Sequence, residues 1–129
     1  MKAKELVSVW SAPDNSRLTA KQTSFRLPVH VAAQINALCE LYPSKTRTQI
    51  VADLLAAALS EIEYQIPTFA GEFVDNHPDT GEKMFREAGD RAKFRHATNR
   101  HYSELERELG NKDPSVYFSG EYMVSEDGK

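Results

Sequence analysis

Gln22, Ser24 and Arg26 stand at alternate positions in the first quarter of the chain. Alternate residues of an extended backbone share one face, so these three side chains would project together. Their types suit the edges of bases in a DNA major groove: arginine bridges guanine O6 and N7, glutamine pairs with adenine N6 and N7, and serine serves either partner. Catalytic chemistry is sparse by comparison. His77, His96 and His101 lack partners at metal-ligating spacing, and 96 and 101 fall on different faces of a helix. No HExxH, CxxC, Walker loop or nucleophile elbow occurs. Asp75, Asn76, His77 and Asp79 gather around Pro78, as ordinary turn chemistry arranges them. No catalytic residue, metal ligand or cofactor is expected, and the chain reads as a non-enzyme.

The elements that would position these residues can be read in order. Residues 1–20 look like an arm, with a turn-rich cluster at Ser11, Pro13, Asp14, Asn15 and Ser16; Leu6, Val7, Val9 and Trp10 would pack locally or form a short strand. Across Lys21–Leu27 the types alternate, putting Thr23, Phe25 and Leu27 opposite Gln22, Ser24 and Arg26 on a short strand. Pro28 suits the first position of a helix. Val31, Ile35, Leu38 and Tyr42 then form one helical stripe, ended by Pro43. Thr46 and Gln49 make a capping box that opens a second helix, with Ile50, Leu54, Leu55, Ala58 and Ile62 on its buried side and Pro67 as its latest end. Cys39 reads as a small buried hydrophobe.

Beyond Pro67 the pattern loosens. Thr68–Gly81 reads as an acidic linker or ordered loop. Glu82–Leu109 reads as one long helix rich in i,i+4 charge pairs, closed by Gly110. The apolar residues around Ser119–Gly120–Glu121 read as a short hairpin or a docking patch.

Composition excludes several classes. The 129 residues, 40% apolar and 27% charged, are lean for a self-sufficient globule yet too apolar for disorder throughout. The longest apolar run, Ile50–Leu59, is short and holds Asp53, so no membrane span is expected. Met1–Val9 lacks the apolar core of a signal peptide, and a lone cysteine fits a reducing cytoplasm. The formal charge of −3 is uneven. The first fifty residues hold seven basic and three acidic side chains, +4, and the rest hold nine and sixteen, −7. Such asymmetry points to a nucleic-acid-binding part joined to an acidic part.

A seven-residue strand cannot stand alone. Two chains pairing their strands antiparallel over four helices would cover Phe25 and Leu27 and leave Gln22, Ser24 and Arg26 outward from each copy. The order of elements, with Lys21–Gln–Thr–Ser–Phe–Arg–Leu–Pro28, a helix, and Lys45–Thr–Arg–Thr–Gln–Ile50, resembles the ribbon-helix-helix repressors of the Arc/MetJ/CopG type over about residues 19–64. The resemblance implies an intertwined dimer that inserts a two-stranded ribbon into the major groove, with Gln22, Ser24 and Arg26 reading bases. It further places Thr46, Arg47 and Thr48 at the DNA phosphates, with Lys45 beside them. Free amides and the helix dipole favour an anion at such a helix start. Gln49 departs from the family, where Glu is frequent: it can cap but not form an ion pair.

The fold class expected is therefore mainly α: a ribbon-helix-helix dimer with a further, mostly helical C-terminal region. Its domains are an arm at 1–20, a DNA-binding and dimerisation domain at 21–64, and an acidic region at 65–129. The dimer core would comprise Phe25, Leu27, Val31, Ile35, Leu38, Ile50 and Leu54, and Lys2, Lys4, Arg17 and Lys21 are candidate arm contacts. The implied partners are double-stranded DNA, a second copy or a higher oligomer, and a protein held by residues 65–129. The function implied is a sequence-specific transcriptional repressor in a bacterial cytoplasm, nucleoid-associated or encoded by a phage or plasmid. An antitoxin whose C-terminal region wraps a toxin, a plasmid-partition or relaxosome accessory protein, and a dimeric adaptor that binds no DNA remain alternatives.

Overall fold

In a computed structural model the described residues are Glu5, Leu6, 17–120 and 122–128. The chain divides into two units, Met1–Ile62 and Glu63–Lys129.

Among its described residues the first unit is built on two helices. Helix α1 spans Val29–Leu41. Pro28 stands one place earlier than expected, at the N-cap, where its carbonyl accepts the amides of Val31 at 3.1 Å and Ala32 at 3.0 Å. Helix α2 spans Arg47–Gln65, its last turn counted with the second unit. Ile50 is fully buried and packs with Leu6 and Ala57, flanked by Leu38, Cys39, Tyr42 and Leu54. The buried face of α2 is Ile50, Asp53 and Ala57. This corrects the expected one, because Leu55, Ala58 and Ile62 lie exposed.

The second unit is a sheet with a helix. Strands β1 (Phe69–Asn76), β2 (Lys83–Ala88) and β3 (Met123–Val124) form an antiparallel sheet in the order β1-β2-β3, followed in sequence after β2 by helix α3 (Asp90–Glu108). The β1–β2 connection is a turn that His77 ties together. Its imidazole Nδ1 accepts the amides of Asp79 at 3.1 Å and Thr80 at 3.3 Å, and its own amide donates to the Glu82 carbonyl at 2.7 Å. The polar cluster around Pro78 is thus turn chemistry.

The fold class departs from expectation. Among the described residues the chain is a mixture of three helices and a three-stranded antiparallel sheet, not a mainly α ribbon-helix-helix dimer with a helical C-terminal region. Strands lie in the acidic half, in place of the linker at 68–81 and the first turns of the helix expected over 82–109. Residues 22–28 run without regular structure or strand pairing within the chain. The long helix fails at Gly89. There φ is +93°, and an added Cβ would sit 2.8 Å from the ring of Phe69, so the backbone turns sharply between β2 and α3. Its far end closes as expected, since Gly110, also at φ +93°, donates to Arg107 at 3.0 Å and Asn111 to Glu106 at 3.1 Å. The hairpin expected near 116–124 is instead the two-residue strand β3, paired with β2 through Phe85↔Val124 and Arg86↔Met123.

A buried ion-pair network holds the second unit. Arg95, 7% exposed, donates through Nη2 to Glu63 at 2.9 Å and through Nη1 to Glu87 at 2.8 Å, with its guanidinium 3.6 Å from the ring centre of Tyr122. Arg91 donates to the Tyr64 carbonyl at 2.8 Å. Asn99 clasps the backbone of Phe118, accepting its amide at 2.8 Å and donating to its carbonyl at 3.1 Å. This fastens the segment after α3 back onto the helix, where Tyr117 and Phe118 meet Tyr102 and Phe94.

Candidate nucleic-acid interface

The outer side of the first unit carries the candidate contacts. Gln22, Ser24 and Arg26 are exposed along an extended stretch that leads directly into Pro28 and α1. Lys21 is exposed beside them, and the Thr19 hydroxyl donates to its carbonyl at 2.8 Å. Arg17 is exposed as well, while Lys2, Lys4 and Trp10 lie outside the described residues. Phe25 and Leu27 are 77% and 48% exposed, an arrangement water penalises. The other candidate dimer-core residues are already covered within one chain: Ile35 and Ile50 are buried, and Val31, Leu38 and Leu54 are half-buried.

The start of α2 is built locally. The Gln49 amide donates to Thr46 Oγ1 at 3.1 Å, and the Thr46 amide donates to Gln49 Oε1 at 2.9 Å, completing the capping box. The first four amides of a helix lack intrahelical acceptors. The box engages those of Thr46 and Gln49, and the Ile50 amide starts the regular ladder on the Thr46 carbonyl at 3.1 Å. The amides of Arg47 and Thr48 therefore point out of the helix end toward any external acceptor. No acidic residue stands in this first turn, so its partial positive charge is not offset there. Lys45 is half-buried, its amide donating to the Tyr42 carbonyl at 3.1 Å, whereas Thr46, Arg47 and Thr48 are exposed.

Two features of this unit were not legible in the sequence. Arg47 Nη1 donates to Oδ1 of Asn36, tying the start of α2 to α1. Eleven residues separate the pair, and no local periodicity connects them. Leu55, Leu59 and Ile62, each 51–55% exposed, form an apolar stripe on α2, which the i, i+4, i+7 spacing announces without saying which face is covered.

The histidines serve turns and surfaces. His77 closes the β1–β2 turn, His101 lies 3.7 Å from Glu104, and His96 is exposed. Among the described residues no helix is long and apolar enough to cross a membrane. Comparison with protein-family models, curated proteins and solved structures finds no match.

Proposed function

We propose that this chain is a sequence-specific DNA-binding transcriptional regulator, a repressor, that acts as a homodimer in a bacterial cytoplasm. The 21–27 segments of two copies lie side by side in the major groove, and Gln22, Ser24 and Arg26 read bases there. Lys45, Thr46, Arg47 and Thr48 contact phosphate, and no catalysis is involved. The observation that carries this reading is the exposed stretch at 22–28. It sets three base-reading side chain types at alternate positions and leaves Phe25 and Leu27 uncovered. A backbone without sheet partners and apolar residues without cover both call for a second chain. The open α2 helix end supplies the anion site that such an interface needs.

The antitoxin alternative, in which residues 65–129 take shape around a toxin, is less favoured. Those residues hold their own sheet, the Arg95–Glu87 ion pair and aromatic contacts.

Operator fragments selected from genomic DNA and titrated by fluorescence anisotropy test the reading. Each base contact governs discrimination by about 1–3 kcal/mol, so Arg26→Ala should erase preference for the selected operator while the protein stays a folded dimer. Unchanged discrimination sinks the assignment. A dimer with no affinity for DNA even at low salt would instead be the adaptor.

A further inference from the structure

We infer that His77 is a pH-operated latch on the β1–β2 turn, closed while its imidazole is neutral and released when the ring gains a proton. The latch is independent of the DNA-binding reading. A neutral imidazole has one N–H donor and one acceptor nitrogen, whereas a protonated one has two donors and no acceptor. Nδ1 of His77 accepts the amides of Asp79 at 3.1 Å and Thr80 at 3.3 Å. Both bonds use the Nδ1 lone pair, so the ring is neutral here with its proton on Nε2. Protonation would set an N–H where two other N–H groups already point. Histidine is the side chain that makes this change between about pH 8 and 5. Asn, Asp and Ser are the usual acceptors of turn amides, and none of them loses its acceptor between about pH 8 and 5. Histidine in their place is what makes this turn respond to pH.

The backbone of the same residue holds the base of the turn. The His77 amide donates to the Glu82 carbonyl at 2.7 Å, and the His77 carbonyl accepts the Gly81 amide at 2.9 Å. Neither bond involves a titratable atom, so acid frees the tip of the turn and leaves the β1–β2 ladder in place. His77 is half-buried while Asp79 and Thr80 are exposed, so the released amides pass to water. The charged groups around the turn are Asp75, Asp79, Glu82 and Lys83 on the hairpin, with Glu126 and Asp127 lining one depression with Glu82 and Lys83. None of them can restore an acceptor to a protonated ring. The turn is therefore closed above neutral pH and opens as pH falls.

The experiment is heteronuclear NMR on the full-length protein, titrated from about pH 8 to 5, for the parent, His77→Asn and His77→Ala. In the parent at the upper end, long-range proton–nitrogen spectra should show His77 as the Nε2–H tautomer. On acidification the Asp79 and Thr80 amide signals should move with the same midpoint as the His77 ring. Their protection from solvent exchange, relative to the intrinsic rate at each pH, should fall by about fivefold for each bond lost. The Phe85 amide, on the paired part of β2, should keep its protection throughout. His77→Asn should hold both turn amides across the whole range, because its side-chain oxygen accepts at every pH used. His77→Ala should leave both unprotected at every pH. A parent ring with its proton on Nδ1 above neutral pH overturns the inference, as do Asp79 and Thr80 amides that ignore the titration of the ring. Both readings use the parent alone and stand whether or not a variant folds. A His77→Asn protein that repeats the parent's transition also overturns it, and assigns the change to the neighbouring carboxylates.

Discussion

Arg95 shows what one buried side chain can organise. It sits between Glu63 and Glu87 with its guanidinium against Tyr122, and the side chains of Arg95 and Glu87 are only 9% and 5% exposed. Removing one member of such a set leaves charge buried without a partner, typically at about 3–5 kcal/mol. Arg95→Ala should therefore destabilise the second unit toward the lower end of that range, since Arg91 stays 3.9 Å from Glu87. Arg95→Lys should recover only part of it, because a point charge cannot bridge two carboxylates or stack as a planar fork does. Urea unfolding followed by near-ultraviolet circular dichroism, which sees Tyr122, measures both. By contrast, Glu72→Gln should shift stability by less than about 0.5 kcal/mol, because its ion pair with Arg86 is open to solvent. An Arg95→Ala midpoint no lower than that of Glu72→Gln would refute the contrast. Little of this was legible beforehand. Glu87 and Arg91 have helical spacing, but Glu63 lies 32 residues from Arg95 and only the fold brings them together.

Among the elements, those specified by neighbours in sequence were legible and those specified by distant partners were not. The Thr46–Gln49 box and the Gly110 closure form as local chemistry dictates. Strand β2 was hidden because Lys, Met, Arg, Glu and Ala are good helix formers, and only pairing with β1 and β3 makes them a strand. Strand β1 was hidden for a second reason. Its register with β2 shifts between Ala70 and Phe73 and again between Phe73 and Asp75, which breaks the period of two that marks a strand. Of the candidate interface, the alternation at 22–26 and the cap at 46 could be read, while the Asn36 tether could not. The local element should also fail locally. Thr46→Ala removes the hydroxyl that accepts the Gln49 amide and should cost about 1 kcal/mol. Amide hydrogen exchange should rise in the first turn of α2 and leave β1–β2 unchanged. Faster exchange across both units would contradict this.

At the scale of the molecule, the boundary between units softens the charge pattern. Cutting after Ile62 leaves seven basic and five acidic residues in the first unit, +2, and nine and fourteen in the second, −5. The first unit is therefore only mildly basic, so the proposed DNA binding would have to draw its affinity from placed contacts rather than bulk charge. In the proposed function two copies do the placing. Among its described residues the first unit buries only Leu6, Ile35, Ile50 and Ala57 as apolar core, while Phe25, Leu27, Leu55, Leu59 and Ile62 stay open. That is a thin core for a chain folding alone, and a second copy set against the open residues would thicken it. Phe25→Asp places a charge where the second copy is proposed to pack. Sedimentation should then show monomer at concentrations where the parent is dimeric, with DNA binding lost in the same range. The second unit, residues 63–129, should keep its near-ultraviolet signal. A Phe25→Asp protein that remains dimeric and binds the operator normally would place the interface elsewhere, and the reading of the 21–27 segment would fall with it.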